Sequence, residues 1–324
     1  MAAGAILAVS LSVACREPAP PARNVLLVLI DTVRSDRLST YAPHTPSTPN
    51  LRALSFRGAV RLRHYTQAPY TRSAMPSLLY SRYFAKPVPP ASTRVPLMSP
   101  DELFQQWDES AMALPSVMRA LGRHTVLINA HPWLQPETEL ARLYDEVHHL
   151  RGEPLAAGKR GRSIASASRM VSATIDWLSD HGDNDFFLHL HLMDPHEPLA
   201  YSADAELLLT DDVPRSPNRW DFDESEIDNR QMDPEQRVWL NAAYDGALHA
   251  VDRELGRLFA FLDQSGLTDS TLVVVTSDHG ESLFEIPHRR GHGGLMFEPI
   301  ARVPLILRYP PGIAAKRVSE LSES

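Results

Sequence analysis

The chain has 324 residues, enough for one large α/β domain, and 43% of them are hydrophobic, with five Trp, nine Tyr and ten Phe available for a core. Forty acidic against 32 basic residues leave a net charge of −8, which excludes nucleic acid as a partner because no basic surplus exists to neutralise phosphates. The single cysteine, Cys15, excludes an internal disulfide.

Residues 1–23 read as a leader and Pro-rich linker, and residues 24–324 as the catalytic domain. The apolar stretch at 4–14 is too short to span a bilayer comfortably. With Cys15 and Arg16-Glu17-Pro18-Ala19-Pro20-Pro21 behind it, the stretch resembles a bacterial lipoprotein signal. No Lys or Arg precedes it, however, and Ser12 sits where such signals place Leu, so an ordinary secretory leader is the alternative. Either reading places the protein outside the cytoplasm, in the periplasm or at the cell surface, and the first adds membrane attachment through a lipidated Cys15.

From residue 24 onward strand-like and helix-like segments alternate, which predicts parallel βαβ units. Asn24-Val25-Leu26-Leu27-Val28-Leu29-Ile30 is a continuous apolar run, the pattern of a strand buried on both faces, and it delivers Asp31-Thr32-Val33-Arg34-Ser35-Asp36. Tyr70–Leu79 places small hydroxyl residues ahead of an apolar helix start. The several prolines of 84–115 predict a loop near the site. A helix is expected at 116–121, a strand at 125–129, an amphipathic helix at 166–179 and a strand at 185–193. Residues 200–229, rich in Asp, Glu, Pro and Ser without periodicity, predict a surface excursion. A long helix at 234–263 leads into a strand at 271–275, which delivers Thr276-Ser277-Asp278-His279-Gly280-Glu281, and 303–309 is the last strand expected. The predicted fold is a doubly wound α/β domain: a mainly parallel sheet with helices on both faces.

Ligands of such sheets bind beyond the carboxyl ends of the strands, where Asp31 and Asp278-His279 would emerge. Carboxylates gathered there repel one another unless a cation sits between them; the alternative for each is a helix N-cap. Thr71, at a helix N-terminus, would feel the positive end of the dipole, which favours a developing alkoxide and an incoming anion. Read alone, that segment is equally a simple cap. Pro195 and Pro198 bracket His196 in a rigid loop at a strand end, whereas His189 and His191 share one face of the strand by period-two alternation and read as core histidines. His288 and His292 have the spacing of a helical zinc pair, but Pro287 and the neighbouring glycines exclude a helix. His292, in its glycine-flanked loop, is better placed to contact a substrate oxygen.

Taken in chain order, several segments resemble the N-terminal catalytic region of the sulfatase branch of the alkaline phosphatase superfamily. They are Asn24–Asp36, Thr48-Pro49-Asn50-Leu51, Gln67-Ala68-Pro69, Pro76–Leu79, Phe186–Pro198, Tyr244-Asp245-Gly246 with Asp252, Thr271–Glu281, and Gly291-His292-Gly293 leading to Arg302-Val303-Pro304-Leu305. The resemblance implies an alkaline phosphatase-like fold and metal-dependent hydrolysis or transfer of a sulfate or phosphate ester. It implies that Asp31, Asp278 and His279 hold one divalent metal, with the nucleophile oxygen as a further ligand, and that the metal acts as a Lewis acid. His196 falls on the family's Pro-His-x-Pro histidine and would protonate the leaving group or bind the anion; His292 would support the same charge from the opposite side. Small-molecule, glycan or lipid esters are the implied substrates.

The departures bear on the chemistry. Sulfatases use formylglycine made from Cys or Ser in a Cys/Ser-x-Pro/Ala-x-Arg segment, and counting back from Pro76-Ser77-Leu78-Leu79 puts the nucleophile position on Thr71. Ser73 and Met75 stand where the Pro and Arg would be, and threonine cannot become formylglycine, so formylglycine is not expected. Asn129-Ala130-His131-Pro132 stands where the family has Gly-Lys-Trp-His, without the lysine. Thr71 instead resembles the threonine nucleophile of phosphoethanolamine and phosphoglycerol transferases, enzymes with several transmembrane helices that this sequence lacks. Asp-His at the second metal motif adds nitrogen, which leans from calcium toward manganese, zinc or magnesium. The sequence ends at Ser324, where the resemblance implies a further helix and a smaller C-terminal sheet, so a C-terminal subdomain is expected to be missing. The contrasting class is a non-catalytic, metal-stabilised binding protein.

Overall fold

The apolar run Asn24–Ile30 forms strand β1, and all seven of its residues are buried. The computed structural model describes residues 20–45, 47–83, 112–152, 164–196, 199, 207–208, 234–285, 290–294 and 296–324. The leader through residue 19 with Cys15, most of the expected loop at 84–115, nearly all of the excursion at 200–229, Pro198 and His288 lie outside the described residues.

Around β1 the chain lays down β2 (Ala59–Tyr65), β3 (His124–Asn129), β4 (Glu146–His149), β5 (Phe186–Leu192), β6 (Thr271–Thr276), β9 (Leu305–Arg308) and β10 (Lys316–Glu323). They form one sheet in the order β10-β2-β9-β6-β1-β5-β3-β4, and β7 (Ser282–Leu283) pairs with β8 (Arg290–Gly291) as a separate ribbon. Within the large sheet only β9 runs antiparallel to its neighbours. The helices are α1 (Pro49–Ser55), α2 (Thr71–Tyr80), α3 (Leu114–Ala120), α4 (Ala167–His181), α5 (Pro234–Gln264) and α6 (Glu298–Ala301).

Alternation along β1 builds a core on each face of the sheet. Leu26, Val28 and Ile30 join Met170 and Leu178 of α4 and Leu248, Leu255 and Leu258 of α5. Val25, Leu27 and Leu29 join Met75 and Leu79 of α2 on the other face. The mainly parallel α/β fold with helices on both faces is therefore present, and the expected elements agree to within two residues at each observed end. The strands β2, β4 and β10 carry no apolar run. β10 is mostly exposed at the sheet edge, where charged side chains are the usual guard against further pairing.

One tertiary contact fixes α1. Thr48 precedes it without a side-chain cap, and the buried Asp252 of α5 takes that place, accepting from Asn50 N (2.9 Å) and Leu51 N (2.8 Å). A Cβ at Gly256, one turn on, would stand 2.7 Å from Asn50 Cγ, so glycine lets the two helices approach. Among the described residues no helix is long and apolar enough to cross a membrane.

Candidate active site

Parallel register assembles the site. Asn129 of β3, His191 of β5, Leu29 of β1 and Thr276 of β6 lie side by side across four strands. Two residues beyond that row, past the strand ends, the chain reaches His131 after β3, Asp31 after β1 and Asp278 after β6, all at the carboxyl edge. Asp31, Asp278 and His279 are buried, and one ligand atom from each lies within 4.8 Å of the others.

The turn after β1 is tightly held. Thr32 has φ 58°, a left-handed backbone that β-branched residues rarely adopt. The Tyr244 hydroxyl donates to Thr32 O (2.7 Å) and accepts from Arg34 N (3.1 Å), while Val33 N donates to Ser277 Oγ (2.9 Å). The buried Arg34 guanidinium pairs with Asp36 and Glu285 and donates to Glu281 O. After β6, a Cβ at Gly280 would stand 2.0 Å from Pro299 O, so no other residue lets the Asp278-His279 turn lie against α6.

The donor set fits a divalent cation. Asp278 Oδ1 accepts from His279 N (2.9 Å) and Thr32 N (3.4 Å), whereas Asp278 Oδ2 and Asp31 Oδ1 are buried without a hydrogen-bond partner. His279 donates from Nδ1 to Gly280 O (3.0 Å), which leaves the Nε2 lone pair facing the cluster. Two orphaned carboxylate oxygens and one imidazole nitrogen are hard and borderline ligands that suit such an ion.

Thr71 is the first residue of α2 and is 4% exposed. Its Oγ1 lies 3.4 Å from Asp31 Oδ2 and 3.1 Å from His279 Nε2. The ring of His292 stands 4.5 Å from that of His279 and 4.9 Å from that of His196, centroid to centroid. The buried Glu281 holds His292 through Oε2 and Nδ1, 3.1 Å apart. All six residues singled out from the sequence thus meet at one place.

Three further residues meet the site that were not assigned to it from the sequence. His191 Nε2 donates to Asp31 Oδ2 (3.2 Å), so it is not merely a core histidine, whereas His189 is one: it is wholly buried beside Tyr144, Nδ1 to hydroxyl 2.7 Å. His131 Nδ1 accepts from Trp133 N (3.0 Å), which puts the proton on Nε2, 3.7 Å from Asp31 Oδ2. Glu281 is the third. The signals for them were strand alternation at His191 and the position of His131 in the segment that lacks the family lysine.

Electrostatics follow from these partners. Burial raises the Asp31 pKa, but the hydrogen bond with His191 and the nearby imidazoles of His196, His279 and His131 outweigh it and hold the carboxyl well below the usual range. Burial presses His131 down to about 3 despite the neighbouring Asp31. At neutral pH its contribution to Asp31 is therefore an N–H dipole rather than a full charge.

A doubly wound sheet with this carboxylate, imidazole and hydroxyl cluster at its carboxyl edge has the alkaline phosphatase-like architecture. The family model described as Sulfatase matches residues 23–324, and the chain belongs to the sulfatase family. It is 25% identical to the multifunctional alkaline phosphatase superfamily protein PehA of Trinickia caryophylli, over 88% of this chain and 68% of that protein. Its identity to the uncharacterized sulfatase YidJ of Escherichia coli is 22%, over 89% of this chain and 63% of that protein, so the chain spans about two thirds of these relatives' length. The phosphonate monoester hydrolase of Agrobacterium radiobacter has a similar structure, with a TM-score of 0.67 at 22% identity over 93% of this chain and 71% of that one.

Proposed function

We propose that this protein is an extracytoplasmic, metal-dependent hydrolase of sulfate or phosphate esters in which Thr71 is the nucleophile. The observation that carries the reading is the position of Thr71 Oγ1, out of solvent and 3.4 Å from Asp31 Oδ2 and 3.1 Å from His279 Nε2. A merely metal-stabilised binding protein has no need of a hydroxyl held there.

Asp31, Asp278 and His279 would hold one divalent ion, with Thr71 Oγ1 as a further ligand; the imidazole favours manganese, zinc or magnesium over calcium. Such an ion supplies Lewis-acid stabilisation of the ester oxygens and lowers the pKa of the attacking hydroxyl. Thr71 Oγ1 gives up its proton to water at the site and attacks sulfur or phosphorus, the bond to the alcohol oxygen breaks, and the group passes to Thr71. The positive end of the α2 dipole favours the anion during that step. His196 gives its proton to the departing oxygen. His292, oriented by Glu281, donates to the oxygens that remain. Water then releases the group from Thr71; an alcohol acceptor in its place would make the same chemistry a transfer.

Threonine rather than formylglycine favours a second reading, phosphoester chemistry of the phosphoethanolamine or phosphoglycerol type or a phosphodiesterase. Similarity to PehA, an alkaline phosphatase superfamily protein, and to the fold of a phosphonate monoester hydrolase agrees with phosphorus as the centre attacked. Small molecules, glycans and lipids all remain open as the alcohol portion. The leader at 1–23 would direct export, and Cys15 would attach the protein to a membrane. Mass spectrometry of the mature N-terminus tests this, and an intact Met1 after secretion-competent expression overturns it.

Purified protein assayed with aryl sulfate, phosphate monoester, phosphodiester and phosphonate in manganese, zinc, magnesium and calcium is the deciding experiment. Turnover is expected for at least one ester, with Thr71→Ala slowing it at least about 1000-fold, the scale seen when a nucleophile is removed, and Thr71→Ser retaining part of it. Sulfate turnover without any phosphoester activity sinks the phosphoryl reading. Absence of turnover by the wild type in every metal sinks the enzyme reading itself.

A further inference from the structure

Beside Thr71 lies a cavity of about 350 Å³, lined among others by Thr71, Arg72, Met75, Pro76, Trp133 and Leu134. Its volume falls in the range of small-molecule sites and suits one ring-sized group. Thr71 contributes to its wall, so the part of an ester that fills it lies next to the sulfur or phosphorus that Thr71 would attack. Given the nucleophilic role proposed above, the cavity faces the departing alcohol.

Arg72, the residue after the nucleophile, is the distinctive feature. Its guanidinium carbon lies over the Trp133 ring, 4.9 Å from the centroid, so a cation–π contact holds the side chain in place. Its Nε is buried and has no hydrogen-bond partner. Nε is shut off from solvent, so the donors that a ligand in the cavity can reach are the terminal nitrogens of this half-buried side chain. Charged acceptors gain most, because hydrogen bonds to ionised groups are roughly twice as strong as neutral ones. Glu137 and Glu139 also reach the cavity, but both are exposed, where water and salt screen them.

We propose that this cavity is the subsite for the leaving alcohol, and that it takes a flat, ring-bearing alcohol with a second anionic group, which Arg72 binds. Met75, Pro76 and Leu134 supply the apolar wall for the ring; Trp133 acts by positioning Arg72. A leaving alcohol that carries an ammonium would set it against the guanidinium, so the subsite selects against cationic leaving groups.

The test compares phenyl phosphate with para-carboxyphenyl phosphate in wild type, Arg72→Met, Arg72→Lys and Trp133→Ala, so that leaving-group chemistry cancels in the ratio. In wild type the carboxylated ester is expected to have a kcat/KM about 10-fold higher or more, the scale of one charged hydrogen bond. That ratio should fall toward 1 in Arg72→Met, partly recover in Arg72→Lys, and fall in Trp133→Ala. A ratio unchanged by Arg72→Met, or near 1 in wild type, overturns the subsite. If the wild type turns over neither ester nor either sulfate counterpart, hydrolysis of such monoesters fails on its own. The subsite is then decided by calorimetric titration with para-hydroxybenzoate and phenol. Tighter binding of the carboxylate that is lost in Arg72→Met supports it; equal binding of both overturns it.

Discussion

Asp31 and Asp278 bring two carboxylates into a buried cluster, each with one oxygen that no hydrogen bond satisfies. Unscreened by water, they repel, and a bound cation converts that repulsion into attraction. Stability is therefore tied to metal at the scale of these side chains. Exhaustive chelation is expected to lower the melting temperature by several degrees, and added manganese or zinc to restore it. Asp278→Asn should remove both the repulsion and the metal response. A melting curve indifferent to chelator and metal in the wild type contradicts the ion site. Glu281 acts one step further out, through His292. Glu281→Gln is expected to reduce turnover about 10- to 100-fold, the usual effect of losing an orienting partner, with the circular dichroism unchanged. A variant with wild-type turnover shows that His292 needs no such partner.

At the scale of elements, the site depends on strands in register and on helices that press their ends against it. The long helix α5 serves twice. Tyr244 ties down the turn after β1, and Asp252 caps α1 in the place of the absent Thr48 cap. Asp252→Ala strands two backbone N–H groups at the start of α1 and Asn50 Nδ2 beside them. The expected loss is about 2–4 kcal/mol, a cap plus buried unsatisfied donors, read as a shift in denaturation midpoint. A loss under about 0.5 kcal/mol means that α1 is held by its packing alone. The elements differ in how plainly the sequence announces them. β1, β5 and β6 are apolar runs because both faces are covered, and such runs are readable. β2, reading Ala-Val-Arg-Leu-Arg-His-Tyr, and β10 lie toward one side of the sheet, and their pairing shows only in the tertiary structure.

For the molecule as a whole, His64 contributes to the pH dependence of stability away from the metal ligands. Asp194, whose pKa burial raises to about 6, acts in the opposite sense between about pH 4 and 6. His64 on β2 is 3% exposed, and burial, with Arg61 adding to it, depresses its pKa from 6.5 to about 4 against the pull of its contact with Ser322 Oγ. The unfolded chain takes up this proton near pH 6.5 and the folded one only near pH 4. Between those values the unfolded state binds more protons at this residue, so the His64 contribution to stability rises with pH there. The contribution is complete above the unfolded pKa and is lost as pH falls toward the folded one, up to about 3 kcal/mol. His64→Gln is expected to flatten that part of the stability profile, measured by urea denaturation in steps from neutral to acid. An equal slope in the variant assigns the dependence to other groups.

By itself the sequence determined the fold class, the strand-end acids Asp31 and Asp278 with His279, the hydroxyl at Thr71, and His196 and His292 in Pro- and Gly-marked loops. It could do so because burial on both faces demands unbroken apolar runs, and a polar residue that ends such a run stands out. The tertiary structure alone decided that His191 and His131 flank Asp31, that Glu281 holds His292, and that Arg72 stands over Trp133 at a cavity beside Thr71. Those relations join strands and loops far apart in the chain. They are set by inter-strand register and side-chain packing, and neither has a local pattern in the order of residues.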